Sequence, residues 1–182
     1  MGNTVNGATE VTALMKSLIG RHHRVTGYEV GREKIREYAR AVQDRHPAHY
    51  RKDAAAALGY DGLIAPVTFV SILGSFAIEE LFVRVLVGYD LSQMMHTDQQ
   101  LILHRPVQVG DRLNCDVCLQ SFRQMGGTDI IVTENLITDQ HEDPVASTRT
   151  TLVARTGGVA DPELVRAVAA VMVHKAPTPP PR

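Results

Sequence analysis

Apolar residues follow two rhythms along this chain. Up to Val87 they recur mostly three and four positions apart, as on one face of a helix. From Gln99 to Arg155 Val, Ile, Thr and Leu dominate in runs broken by turn residues, as in strands. Thr9 to Ile19 carries Val11, Leu14, Leu18 and Ile19, which predicts a short amphipathic helix, placed as an appendage to the core. Val25 to Val30 reads as a first strand. Arg32 to Val42 places Ile35, Tyr38, Ala39 and Val42 on one stripe of a helix. Lys52 to Leu58 is an alanine-rich second helix closed by Gly59.

Pro66 to Val87 is the most hydrophobic stretch, and its length approaches that of a bilayer span. Glu79, Glu80 and Arg84 fall inside it and Gly74-Ser75 interrupts it, so it is predicted as a buried helix of a soluble protein. Pro66 suits the first helical position, where its missing N–H costs nothing. Four strands follow: Gln99 to Val107, Arg112 to Phe122, Thr128 to Thr138 and Pro144 to Arg155. Gly110-Asp111, Met125-Gly126-Gly127 and Asp139 to Asp143 separate them, which predicts an antiparallel meander. A helix that apolar must be covered, and the sheet is the surface large enough to cover it. The pattern therefore predicts the α+β class and a hot-dog fold, a long central helix wrapped by an antiparallel sheet. Its open edges call for a dimer that continues the sheet. The expected organisation is an N-terminal extension at 1–19, the hot-dog domain at 20–156, and a tail at 157–182, partly helical and then disordered.

Composition changes this picture little. In 182 residues, 44% apolar and 21% charged content suit one soluble domain, and a net charge of −1 gives no reason to expect nucleic acid as a partner. No basic-then-apolar leader opens the chain, which points to the cytoplasm, and no membrane insertion is expected. Cys115 and Cys118 form a Cys-x-x-Cys on a strand, where they face opposite ways and lack a second ligand pair; they read as reduced structural thiols. His22, His23, His96, His104 and His141 show no metal-ligand spacing, so neither a metal nor a cofactor is expected.

The candidate chemistry lies in Asp44-Arg45-His46-Pro47-Ala48-His49. Proline fixes its own φ and steers His46 out of the helical region, so Asp44 and His49 flank a bend and can converge on one small molecule. A carboxylate beside a histidine is a candidate acid–base pair. The alternative is an ordinary helix-ending loop.

This loop resembles the signature of the MaoC-like (R)-specific hydratases and dehydratases, Asp-x-Asn-Pro-x-His followed by a small residue. Here the series runs Asp44, His46 in place of Asn, Pro47 and His49, with Ala55 as the small residue. Gly31 to Tyr38, Val107 to Leu113 and Ala65-Pro66-Val67-Thr68-Phe69 look like the mycobacterial (3R)-hydroxyacyl-carrier-protein dehydratase subunits of mycolic-acid synthesis. The resemblance covers about residues 20 to 156. It implies (R)-specific hydration or dehydration of enoyl and 3-hydroxyacyl thioesters carried on acyl carrier protein or coenzyme A, with Asp44 and His49 catalytic. It also implies a homodimer or a heterodimer with a second hot-dog subunit.

The chain departs from that signature where the family carries Pro-x-x-His-Gly at the start of the central helix. Ala65-Pro66 stands there, so the glycine N–H that helps hold the thioester carbonyl is gone. Val67 N–H and the Thr68 hydroxyl, in the first helical turn, are the replacement candidates. His46 is a third polar group for substrate, and Gly74 corresponds to the serine that catalytic relatives carry. Val70, Leu73, Gly74 and Ala77 leave room for an acyl chain, and Arg45, Arg51 and Lys52 offer cations at its mouth. The rewritten helix start also fits a non-catalytic, acyl-chain-binding subunit of a heterodimeric dehydratase.

Overall fold

A computed structural model describes residues 4–73, 94–155 and 163. The central helix from Gly74 onward, with Ala77, Glu79, Glu80 and Arg84, therefore lies outside the described residues, as does the tail except for Glu163.

The strands are β1 (His22–Glu29), β2 (Met94–Leu103), β3 (Arg112–Met125), β4 (Thr128–Thr138) and β5 (Pro144–Arg155). They make one antiparallel sheet in the order β1-β3-β4-β5-β2. Alternation gives β3 its two faces. Leu113, Cys115, Val117 and Leu119 are buried, and the residues between them point outward. β4 adds Ile131 and Ile137 to the same core, and β5 adds Ala146 and Leu152.

Only β3, β4 and β5 form the expected meander. β2 pairs with β5, not with its chain neighbour β3, so the chain crosses over before β3 begins. β2 also starts five residues before the expected Gln99. Met95 to Gln100 are all exposed, because β2 is an edge strand and its ladder with β5 holds it without an apolar pattern. β1 likewise begins earlier, at His22, and a bulge between Val25 and Tyr28 contains Gly27 at φ +80°.

The helices are α1 (Thr4–Leu18), α2 (Arg32–Ala41) and α3 (Lys52–Ala56). α1 is more than an appendage, since Met15 and Leu18 are buried in the main core cluster. α2 buries Ile35 and Ala39, and Tyr38 packs edge-on against Phe69 at 5.4 Å between ring centres. Pro66 sits one position outside its expected place, capping a 3₁₀ turn at Val67–Val70 that leads into the helical residues 71–73. Phe69, Val70 and Leu73 carry this segment into the core under the sheet. With the central segment entering beneath a curved antiparallel sheet, the chain has the α+β hot-dog fold.

Cys115 and Cys118 are free and face opposite sides of β3, one on the core and one on the outer ladder. Burial, with the Asp116 charge beside it, pushes the Cys115 thiol up to about 12. A thiol that hard to ionise is a poor nucleophile or ligand.

Candidate functional site

The site begins with how α2 ends. Gln43 N–H donates to the Arg40 carbonyl and Asp44 N–H donates to the Ala39 carbonyl, with Gln43 at φ +58°. These two bonds and that left-handed residue make a Schellman cap, which turns the chain sharply and delivers Asp44 to the top of the helix. His46, extended, then caps a short 3₁₀ turn at Pro47–His49. Ala48 N–H donates to His46 Nδ1 at 3.3 Å, and His46 N–H donates to Asp44 Oδ1 at 3.0 Å. Two more bonds brace the loop. Tyr50 Oη–H donates to the Asp44 carbonyl at 2.8 Å, and Arg36 Nη2 donates to the Tyr50 carbonyl at 2.9 Å.

The 3₁₀ turn places His49 against the strand-like segment at 63–65. Ile64 N–H donates to the Ala48 carbonyl, and the Ile64 carbonyl lies 2.7 Å from His49 Nδ1. A carbonyl can only accept, so Nδ1 carries the hydrogen. His49 Nε2 then faces Asp44 Oδ2 at 3.1 Å. The imidazole side chain is 7% exposed and the carboxylate 40%, which leaves the pair buried on one side and open on the other. The His46 N–H bond, with the nearby His49 and His46 rings, outweighs desolvation and holds the Asp44 carboxyl below its ordinary value.

Of the residues singled out in the sequence, Asp44, His46 and His49 come together; the His46 and His49 rings are 5.6 Å apart. The Asp44 and His49 side chains meet across the Pro47 bend, as the spacing predicts. Pro66 is buried, whereas Val67 and Thr68 are exposed, three and four residues beyond the Ile64 carbonyl that anchors His49. The Thr68 carbonyl accepts from Tyr38 Oη–H at 2.7 Å, which fixes the start of the central segment to α2. In a 3₁₀ turn the first N–H groups have no partner inside the turn, so Val67 N–H points out of it. Ala55 is fully buried on α3, which packs against the Pro47–His49 turn. Arg51 is paired with Asp53 at 2.6 Å, whereas no ion pair joins Arg45 or Lys52 to a described residue. Gly74 lies outside the described residues.

Three members of the site escape side-chain spacing. The Ile64 carbonyl is backbone, Tyr50 reaches Asp44 across six residues, and Arg36, within the Gly31 to Tyr38 block, reaches the Tyr50 carbonyl. Ile64 could have been flagged only by its place just before Ala65-Pro66.

Residues 17–148 match the model of the FAS1-like, dehydratase domain region family. A UPF0336 protein of Mycobacterium tuberculosis is 43% identical over 146 residues, spanning 80% of this chain and 92% of that protein. The crystal structure of a C-terminally truncated HadBC (3R-hydroxyacyl-ACP dehydratase) complex from the same organism is 40% identical, with a TM-score of 0.69, over 75% of this chain and 97% of that one. A solved MaoC-like dehydratase is also 40% identical, with a TM-score of 0.77, over 89% of this chain and half (50%) of that longer one. The proline-bent Asp44–His49 loop thus sits in a chain that belongs to the FAS1-like, dehydratase-region branch of the MaoC-like hydratases and dehydratases.

Proposed function

We propose that this chain is a hydro-lyase that interconverts trans-2-enoyl and (3R)-3-hydroxyacyl thioesters, in fatty-acid or mycolic-acid elongation, with Asp44 and His49 as its catalytic pair. The observation that carries the reading is His49 fixed through Nδ1 by the Ile64 carbonyl while Nε2 meets Asp44 Oδ2 at 3.1 Å. An imidazole held in one tautomer beside a carboxylate can take and return a proton at neutral pH. In hydration, a water sits at the open side of the pair. Its oxygen adds to Cβ of the enoyl thioester, its proton passes to the Asp44–His49 pair, and the pair returns a proton to Cα. The pair ends as it began. His49 is assigned to the proton at Cα and Asp44 to the water or hydroxyl. The enolate oxygen formed on the way needs donors, and Val67 N–H with the Thr68 hydroxyl is the nearest set after Pro66. No metal or cofactor enters this scheme.

The acyl group would reach the site on acyl carrier protein or coenzyme A, and the Arg45 and Lys52 side chains beside the loop suit either anionic carrier. The working form is read as a homodimer or a heterodimer with a second hot-dog chain, since β1 and β2 leave the sheet with two open edges. Among the described residues no helix is long and apolar enough to cross a membrane.

A second reading has one observation in its favour: Pro66, with no N–H, stands where the family's glycine donor stands. On that reading the chain binds the acyl tail and a partner subunit does the chemistry. Loss of enoyl-thioester absorbance, followed with crotonyl- and longer enoyl-coenzyme A on the purified chain, separates the two. Turnover that falls at least about a hundredfold in both Asp44→Asn and His49→Ala supports catalysis here. No turnover by the chain alone, and turnover with a partner that survives both substitutions, establishes the binding subunit.

A further inference from the structure

His46 occupies the position where the family signature has asparagine, and its bonds explain what it does there. Asparagine before proline commonly accepts a backbone N–H through its side-chain oxygen and so starts a turn. His46 makes that bond with Nδ1, which accepts from Ala48 N–H at 3.3 Å and caps the turn that ends in His49. Its own N–H fixes Asp44 Oδ1 at 3.0 Å. One residue therefore braces both members of the pair, Asp44 through its backbone and His49 through the turn. The ring also stands 5.6 Å from the His49 ring, tilted by 59°.

An amide oxygen accepts a hydrogen bond at any pH at which proteins fold. An imidazole nitrogen accepts only while it is unprotonated. Once Nδ1 gains a proton, two N–H donors face each other at the cap. A positive charge also appears beside the pair, facing the Asp44 carboxylate and the His49 ring. We infer that His46 is a positioning residue that makes the alignment of the Asp44–His49 pair conditional on its own neutral imidazole, an acid-sensitive brace where an asparagine would give a constant one.

The inference rests on the acid–base reading of the pair, and its test has one arm that does not. In the first arm, the Ala48 amide resonance and its hydrogen exchange are followed by NMR between pH 5 and pH 8 in the intact protein, with His46→Asn and His46→Ala for comparison. The expected result is an Ala48 amide that loses protection in step with His46 protonation. That amide stays level in the asparagine variant and is unprotected throughout in the alanine variant. In the second arm, kcat/KM against pH shows an extra acid-side loss in the native enzyme. It amounts to a few-fold and is absent from His46→Asn. An Ala48 amide that does not titrate with His46, or acid limbs that coincide in the native and asparagine proteins, overturns the inference. Absence of turnover in every form would remove the acid–base reading, while the NMR arm still decides whether His46 is the brace.

Discussion

Among the described residues, two groups of polar and charged side chains use their carboxylates in opposite ways. In the first, Arg105 joins Asp111 at 2.8 Å and Asp139 at 3.0 Å, tying the loop after β2 to the turn between β4 and β5. Asp139 Oδ1 also accepts from His141 N–H and Asp143 N–H, and Asp111 Oδ2 accepts from Gln108 N–H. Burial raises the Asp139 carboxyl, but those N–H groups and Arg105 together outweigh it and hold the group below its ordinary value. The carboxylate side chains are 11% and 9% exposed. Each of these two carboxylates accepts three hydrogen bonds. In the second cluster Asp44 has one N–H on Oδ1 and one imidazole on Oδ2, and it stays 40% exposed. A satisfied, enclosed carboxylate holds loops together; a half-satisfied one at the surface has lone pairs left for water or substrate.

That contrast is broken or upheld by one pair of substitutions, which carries the largest expected effect. Arg105→Ala leaves two mostly enclosed carboxylates without their cation and should cost about 3 kcal/mol in denaturant unfolding. Its remaining folded fraction should keep native turnover. His49→Ala should do the reverse, with turnover lowered at least about a hundredfold and the unfolding midpoint displaced far less. Equal stability losses in the two variants would show that both clusters are structural.

Acid sharpens the same comparison. Asp44 and Asp139 both have folded values below the ordinary carboxylate range. Each therefore contributes stability that is present above the unfolded value of about 4 and is lost as pH falls through the lowered folded value. Stability measured by urea unfolding should decline most steeply below about pH 5. Asp139→Asn should flatten that decline more than Asp44→Asn, because Asp139 is the more enclosed group. An unchanged acid limb in Asp139→Asn would refute the ranking.

The site loop was legible in the sequence and the Arg105 cluster was not, for a physical reason. Asp44, Pro47 and His49 act through a short bend, so spacing alone brings the side chains to one place. Arg105, Asp111 and Asp139 are joined only by the fold, and Gly110-Asp111 and Asp139 to Asp143 look like ordinary turns. The same division runs through the sheet. β3, β4 and β5 announce themselves by alternation and turn residues. β2, polar from His96 to Gln100, is held by β5 and not by its own pattern, so its start and its place at the far edge were missed. The anchor of His49 is a backbone carbonyl, which no side-chain pattern can reveal.

Within the loop, Tyr50→Phe removes one hydrogen bond to the Asp44 carbonyl and leaves the ring in place. The expected loss is about 1 kcal/mol of stability. A few-fold drop in kcat should accompany it, since Asp44 loses a brace without losing its carboxylate. Native kcat in this variant would mean that the bond supports the fold alone.

The smallest effect tests how the loop is launched. Gln43 is exposed and adopts φ +58°, a conformation that strains any side chain and suits glycine, yet the two cap bonds around it require that turn. Gln43→Gly removes the strain and keeps both backbone bonds, while it adds freedom to the unfolded chain. The first effect exceeds the second at an enforced left-handed position, so a net gain of about 0.5 kcal/mol in denaturant unfolding is expected. Turnover should not change, because Asp44 is still placed by its N–H bond to the Ala39 carbonyl. A loss of stability in Gln43→Gly would show that the glutamine side chain holds the end of α2. The geometry of the acid–base pair would then depend on a residue outside the Asp44–His49 loop.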